Sequence, residues 1–345
     1  MTRQVFPSQD IQRWGESGIL PGYMPEHVQP ASLDAVIASS KVHVLPGVMK
    51  PHSGQPVSEL IKQYARQTFD LRHHPLFPGN HYLVELAPGL NPAPTPIEVS
   101  PKSSIGRIDV HVRTMVDGHP GFDYVPRGYS GPVYAIVTPN SFPIVAAEGV
   151  PLTQFRFQTE TAFPYQPRSI VLRDKVISGT DRLHLNLEGD LVGYIAKKAV
   201  VPIDLNRYDH ATHEYWDKVG RDDIVNGRYL LPKDKFGIFM TQDKVSIDPL
   251  EAAVLHPMNI EGGDLRIHYA GFIDPGFGYS NPNNVVLEIR PYEDVYLQHG
   301  EPICHMTMDT LRSHPTKNGE LVSYDTHGTN YTSQNVPRLS KFFKG

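Results

Sequence analysis

Three short stretches of this 345-residue sequence carry side chains whose types and spacing could do chemistry. The first is Lys102-Ser103-Ser104-Ile105-Gly106-Arg107. Its hydroxyls and turn amides can donate to phosphate oxygens, and the Arg107 guanidinium offers a planar fork for two parallel contacts. An ordinary polar turn would look the same, so the pattern alone leaves both readings open. The second runs Ala270-Gly271-Phe272-Ile273-Asp274-Pro275-Gly276-Phe277, a strand end entering a turn, where Asp274 could take a sugar hydroxyl. Turns also hold Asp, Pro and Gly for purely structural reasons. The third is Val285-Val286-Leu287-Glu288, where strand alternation puts Val286 and Glu288 on one face. A carboxylate there either meets water at a sheet edge or is desolvated with a raised pKa, and the latter suits a general acid or base near neutral pH.

Other chemistries find no support. Cys304 is the sole cysteine, which excludes an intrachain disulfide and a cysteine-based metal cluster. The zinc deaminase signature, His-x-Glu followed by Pro-Cys-x-x-Cys, is absent and could not be completed with one cysteine. His210-Ala211-Thr212-His213-Glu214 does not have the zinc-protease order, and with 17 histidines in the chain close pairs such as His73-His74 are expected by chance. No Walker-type loop and no Gly-x-Ser-x-Gly elbow occurs. A formal charge of −5 gives no field to hold a nucleic-acid backbone, so any phosphate contact should be local. No apolar run has membrane-spanning length, and the expectation is a cytoplasmic protein. Asn330-Tyr331-Thr332 matches a glycosylation site, a chance match in that setting.

The elements that would position these residues are mainly β. Pro (32) and Gly (28) punctuate short β-type runs at 81–86, 133–137, 285–289 and 295–297. Helical periodicity is confined to short pieces: Asp10 could cap one through Trp14 to Ser17, and Ser58 another from Glu59 to Thr68. Many short strands with frequent turns indicate tandem β-barrel or sandwich modules with a few short helices. The expected boundaries are a first module at 1–160, a connector at 161–180 with one short strand at 169–172, and a second module at 181–345.

The halves also resemble one another. Leu76-Phe77-Pro78-Gly79 matches Leu230-Leu231-Pro232-Lys233, the turn at 126–129 matches that at 275–277, and Gly149-Val150-Pro151-Leu152 matches Gly300-Glu301-Pro302-Ile303. Neither half keeps the whole set of reactive residues. The first has the Ser-Ser-x-x-Arg turn, with Ile136 where a Glu would be needed. The second has Asp274 and Glu288, with His256-Pro257-Met258-Asn259 near where the Ser-Ser-x-x-Arg would fall. One composite site per chain is therefore expected, formed within the chain, across chains, or both.

Together the motifs resemble the dCTP deaminase family, a branch of the trimeric dUTPase-like β-fold, and most closely its long tandem bacterial form. The family pattern is Arg-Ser-Ser-x-x-Arg, Ala-x-x-Ile-Asp-Pro-Gly, a strand ending Val-Leu-Glu, and a C-terminal Tyr-x-x-Gln followed by Pro and Ser-Arg or Ser-Lys. Here these are Lys102 to Arg107, Ala270 to Gly276, Val286-Leu287-Glu288, and Tyr331-Thr332-Ser333-Gln334 with Pro337 and Ser340-Lys341. Asp10-Ile11, Gly18-Ile19-Leu20 and Pro30-Ala31-Ser32-Leu33-Asp34 look like the family's opening helix and first strand.

The resemblance implies hydrolysis of dCTP to dUTP and ammonia, supplying dUTP for thymidylate synthesis. Glu288 corresponds to the residue that takes a proton from the water attacking C4. Ser103, Ser104 and Arg107 correspond to residues around base and triphosphate, Asp274 to the receiver of the 3′-hydroxyl, and Ala270 to backbone holding the water. Val286 corresponds to a substrate-binding position, and Tyr324, Tyr331 and Gln334 to a tail closing over the nucleotide. Magnesium would arrive with the triphosphate, with no zinc, and dTTP is a candidate inhibitor. A homo-oligomer is expected, because the fold usually builds sites between neighbouring modules. Three departures bear on phosphate binding: Lys102 for the first Arg, Phe272 where single-module enzymes often have Arg, and Asn330 where a Lys would add a contact. The rival readings are a dUTP diphosphatase, a bifunctional deaminase–diphosphatase, and a non-catalytic nucleotide-binding regulator.

Overall fold

The computed structural model describes residues 4–159, 182–258, 265–267, 271–326, 331 and 334–344; for 265–267 only the backbone is described. Ala270, Asn330 and the expected connector lie outside the described residues.

Two large β-sheets with the same strand order dominate the described residues, beside three two-stranded sheets. In the first, the path runs Gln67–Asp70, Lys41–Leu45, His81–Leu90, Leu33–Ile37, Pro151–Phe157, Ile97–Pro101 and Tyr124–Val125. Gly131–Pro139 pairs with His81–Leu90, and Val110–Val116 pairs with Gly131–Pro139. The second repeats this with Trp216–Gly220, Leu191–Ala196, Gly237–Val245, Arg182–Asn186, Pro302–Leu311, Glu251–Pro257 and Phe272–Ile273. There Asn283–Pro291 pairs with Gly237–Val245, and Leu265–Ile267 pairs with Asn283–Pro291. The duplication is thus a property of the fold. Gly149 and Gly300 show why the sequence match falls where it does. Both have positive φ, 82° and 76°, and each turns the chain into the corresponding strand, Pro151–Phe157 or Pro302–Leu311.

The two modules share a core. One apolar cluster joins first-module residues such as Leu33, Val84 and Phe155 to Phe236, Ile238 and Val286 of the second and to Phe342 and Phe343 of the C-terminus. Ile203–Asp204 of the second module runs parallel to Ile144–Val145 of the first, and Gln4–Val5 joins the second sheet beside Pro302–Leu311. At the junction, the ring of Phe142 meets Tyr215 at 5.7 Å and Trp216 at 5.2 Å, and Phe343 meets Trp216 at 5.8 Å. This aromatic nest anchors the end of the chain. Phe343→Ala is expected to cost about 3 kcal/mol, the usual loss when a buried ring is truncated. Urea unfolding would measure it, and the KM for nucleotide should rise with it because the tail loses its anchor.

The helices correct two expectations. The first spans Ser8–Glu16 and starts after Pro7, so Asp10 lies in its first turn and pairs with Arg13 at 3.3 Å instead of capping it. The second spans Val57–Tyr64 after Pro56, and the chain is already a strand at Gln67–Asp70. Proline at the helix boundary, with its φ preset and no N–H to satisfy, displaces the Asp and Ser caps the sequence offered. Among the described residues no helix is long and apolar enough to cross a membrane.

Candidate active site

A cavity of about 360 Å³ opens between the two modules. Lys102, Ser103, Ser104, Arg107, Asp274, Val286, Glu288, Tyr324, Tyr331 and Gln334 all line it. Every site residue expected from the sequence is therefore brought to one place, except Ala270, which lies outside the described residues. His210 belongs to the module junction, where its Nε2 lies 3.0 Å from the Asp204 carbonyl and its ring meets Tyr215.

The first module supplies a single helical turn, Ser103–Gly106, directly after the strand Ile97–Pro101. The Lys102 N–H donates to the Leu152 carbonyl at 3.0 Å and the Arg107 N–H to Ser103 at 2.9 Å, which fixes both ends of the turn. Arg107 is 5% exposed. Its Nη1 donates to the Arg338 carbonyl at 3.0 Å, its Nη2 to Gln334 Oε1 at 3.2 Å, and its guanidinium lies 3.9 Å from the centre of the Tyr331 ring. The tail is thus already folded over this Arg. Gln334 N–H donates to Asn283 Oδ1, Ser340 Oγ to the Ser104 carbonyl, and Lys341 N–H to the Tyr331 hydroxyl.

The second module supplies Glu288 from the strand Asn283–Pro291. Its Oε1 lies 4.0 Å from Arg107 Nε, across the module boundary. Burial pushes its carboxyl up to about 8, opposed by the Arg107 charge and assisted by Asp109. Asp274 follows the strand Phe272–Ile273. Burial pushes its carboxyl up to about 7, against the pull of Lys102, and nearby Asp34 adds to the rise. The turn after it is tight: Gly276 has φ +81°, and a Cβ there would lie 2.5 Å from Ser323 Cβ. That turn seats Tyr324, whose N–H donates to the Pro275 carbonyl at 2.8 Å. Arg107 Nε, Asp274 Oδ1 and Glu288 Oε2 are all buried without a hydrogen-bond partner among the described residues. Orphaned polar atoms of this kind are costly unless a ligand or water completes them.

The two modules treat the Glu288 position in opposite ways. Gly131–Pro139 and Asn283–Pro291 are equivalent nine-residue strands, and Ile136 occupies the place of Glu288. Ile136 is fully buried with Leu45, Val57, Leu83 and Met115, so the first module uses the position for packing. The stretch that follows Glu251–Pro257, where a second Ser-Ser-x-x-Arg would fall, continues into residues outside those described.

Several wall residues went unassigned in the sequence. Asp34 faces the cavity from Leu33–Ile37, accepts from Lys102 Nζ at 2.6 Å, and is 5% exposed. A carboxylate inside an apolar strand is the same signal that marks Glu288, and Asp is depleted in strands. Gln29, Gln154 and Lys341 also line the wall. Lys341 belongs to the Ser340-Lys341 end of the C-terminal motif, whereas nothing in the local sequence distinguishes Gln29 and Gln154. Phe272 packs under the Arg156 guanidinium at 4.7 Å, so a first-module Arg lies beside this wall.

Duplicated β modules that close one buried, polar site between them define a tandem two-module protein. Family models of 2′-deoxycytidine 5′-triphosphate deaminase match the chain in two parts, the N-terminal domain at residues 2–161 and the C-terminal domain at 165–343. The chain belongs to the dCTP deaminase family. Among solved structures it is similar to a 2′-deoxycytidine 5′-triphosphate deaminase from Agrobacterium tumefaciens, at 28% identity and a TM-score of 0.80, over 92% of this chain and 100% of that one. No curated protein sequence matches the chain.

Proposed function

We propose that the chain hydrolyses dCTP to dUTP and ammonia in the cavity between its modules, with Glu288 moving the protons. The observation that carries this reading is the cross-module pair of Arg107 and Glu288, buried 4.0 Å apart, each with an unsatisfied polar atom. Family membership and the Agrobacterium tumefaciens structure support the substrate.

In this mechanism water adds to C4 of cytosine while ionised Glu288 takes one of its protons. A carboxylate with a pKa near 8 is a far stronger base than one at 4.5. The C4–N bond then breaks. One water proton ends on N3 of the uracil ring, the other leaves in ammonia, and Glu288 returns to its ionised form. Ser103 positions the water, and Asp274 receives the 3′-hydroxyl. Arg107 and Gln334 hold the polyphosphate end, with Lys102 and Ser104 beside them. Tyr324, Tyr331 and Val286 enclose the base and sugar.

Magnesium accompanies the triphosphate in this reading. The same reading has the water activated by the Glu288 carboxylate rather than by a metal. Activity should therefore survive a zinc-selective chelator and fall when magnesium is withheld. A steady-state assay showing inactivation by the chelator and rescue by added zinc would remove Glu288 as sole activator of the water. Product analysis tests the function itself: ammonia and dUTP in equal amounts, without pyrophosphate, are expected. Pyrophosphate release would make the chain a diphosphatase or a bifunctional enzyme, and tight dCTP binding without turnover would make it a nucleotide-binding regulator. Assembly into a homo-oligomer, inhibition by dTTP and a cytoplasmic location complete the proposal.

A further inference from the structure

A second charged pair crosses the module boundary beside the first, with its polarity reversed. Two residues after Arg107 the first module presents Asp109, and two residues after Glu288 on the same strand the second presents Arg290. Arg290 Nε donates to Asp109 Oδ1 at 3.2 Å, and its Nη2 bonds Oδ2, so the guanidinium grips the carboxylate with both arms. Arg290 Nη2 also donates to Ser141 Oγ at 3.0 Å, and Ser141 Oγ donates to Asp109 Oδ2 at 2.6 Å. Asp109 is fully buried, and its backbone is held at φ +57° by its N–H to the Gly106 carbonyl at 2.8 Å. That bond ends the turn bearing Arg107. The Ser-Ser-x-x-Arg segment and the Glu288 strand are thus pinned together two residues beyond the Arg107–Glu288 contact on each chain segment.

We propose that Asp109 and Arg290 are a positioning pair for the reaction: they set the spacing of Arg107 and Glu288 across the module boundary and balance the charge around Glu288. This rests on the reading of Glu288 as the proton-handling group. The charged groups around Glu288 are Arg107 and Asp109 from the first-module turn, Arg290 from its own strand, and Glu26, Asp34, Lys102, Asp274 and Lys341 lining the cavity. Asp109 is the near negative charge, and it acts to keep Glu288 protonated, with Arg290 as its counter-ion.

The two halves of the pair should therefore act in opposite directions. Asp109→Asn, which tolerates positive φ, removes the negative charge and leaves Arg290, so Glu288 should ionise at lower pH. Arg290→Gln leaves Asp109 unbalanced, so Glu288 should ionise at higher pH. Shifts of about one pH unit each way are expected, equivalent to up to about tenfold in rate at pH 7. The double variant Asp109→Asn/Arg290→Gln should return close to the wild-type value, and it contains no unpaired buried charge if a single variant folds poorly. The readout is the Glu288 carboxyl titration by carbon-13 NMR, assigned with Glu288→Gln, beside the pH profile of kcat. Opposite carboxyl shifts support the pair's role even if the rate does not follow, in which case the reading of Glu288 alone fails. Shifts in the same direction, or no shift with a lowered Tm, would make the pair structural only and overturn the proposal.

Discussion

Glu288→Gln is expected to abolish most ammonia release, lowering kcat by about 10²–10⁴-fold, while dCTP affinity changes by only a small factor. An amide fills the same space and can still donate or accept a neutral hydrogen bond, but it cannot take a proton from water, and general-base catalysis is worth about 10²–10⁴-fold. The same substitution should stabilise the folded chain in alkali. Glu288 titrates near 8 in the folded chain against an ordinary value of 4.5. Its folded pKa is raised, so its contribution to stability is fully present below about 4.5 and is lost as pH rises to about 8. Above pH 8 the wild-type chain must hold a desolvated carboxylate, and the Gln variant does not. A Tm several degrees above wild type at pH 8.5, shrinking toward pH 5, is the expected signature. Deamination at near wild-type rate would remove Glu288 from the chemistry, and an unchanged Tm profile would mean that the carboxyl is not desolvated.

Arg107→Ala is expected to be as damaging as the loss of Glu288, although the two residues belong to different repeats. The guanidinium touches the tail through Gln334, the Arg338 carbonyl and the Tyr331 ring, and it faces Glu288 at 4.0 Å. Removing it leaves Gln334 Oε1 without its donor and Glu288 without the cation that opposes its protonation. The loss should therefore appear in both constants: KM rises because the phosphate contact and the tail's hold are gone, and kcat falls because Glu288 ionises less readily. Arg107→Lys keeps the charge without the fork and should recover only part of either. A normal rate and normal dCTP affinity in Arg107→Ala would show that the second module suffices alone.

Much of this architecture was legible in the sequence, for physical reasons that can be traced. Short β runs broken by Pro and Gly pointed to the mainly β class, and three paired segments pointed to the duplication, among them Gly149-Val150-Pro151 and Gly300-Glu301-Pro302, whose glycines take positive φ at the bend before their strands. Glu288 stood out as a charge on an otherwise apolar strand, and the structure buries it. Asp34 carries the same signal, yet it went unassigned because its partner Lys102 is 68 residues away and no local pattern joins them. The Arg290–Asp109 clamp was invisible for the same reason. Helix starts were misplaced where Pro7 and Pro56 outcompeted nearby Asp and Ser. The shared core could not be read locally either, since pairs such as Phe142 with Trp216 exist only once the modules have docked.

The central claim is that one chain, by itself, completes the site from its two modules. Mixing inactive Arg107→Ala protein with inactive Glu288→Ala protein, under conditions that let subunits exchange, and assaying ammonia from dCTP tests it most directly. With Arg107 and Glu288 meeting inside each chain, no mixture contains an intact pair, and the account predicts that the mixed sample stays as inactive as its parts. Recovery of activity on mixing, rising to a maximum near equal proportions, would show that the site takes its Arg and its Glu from different chains and would contradict the account.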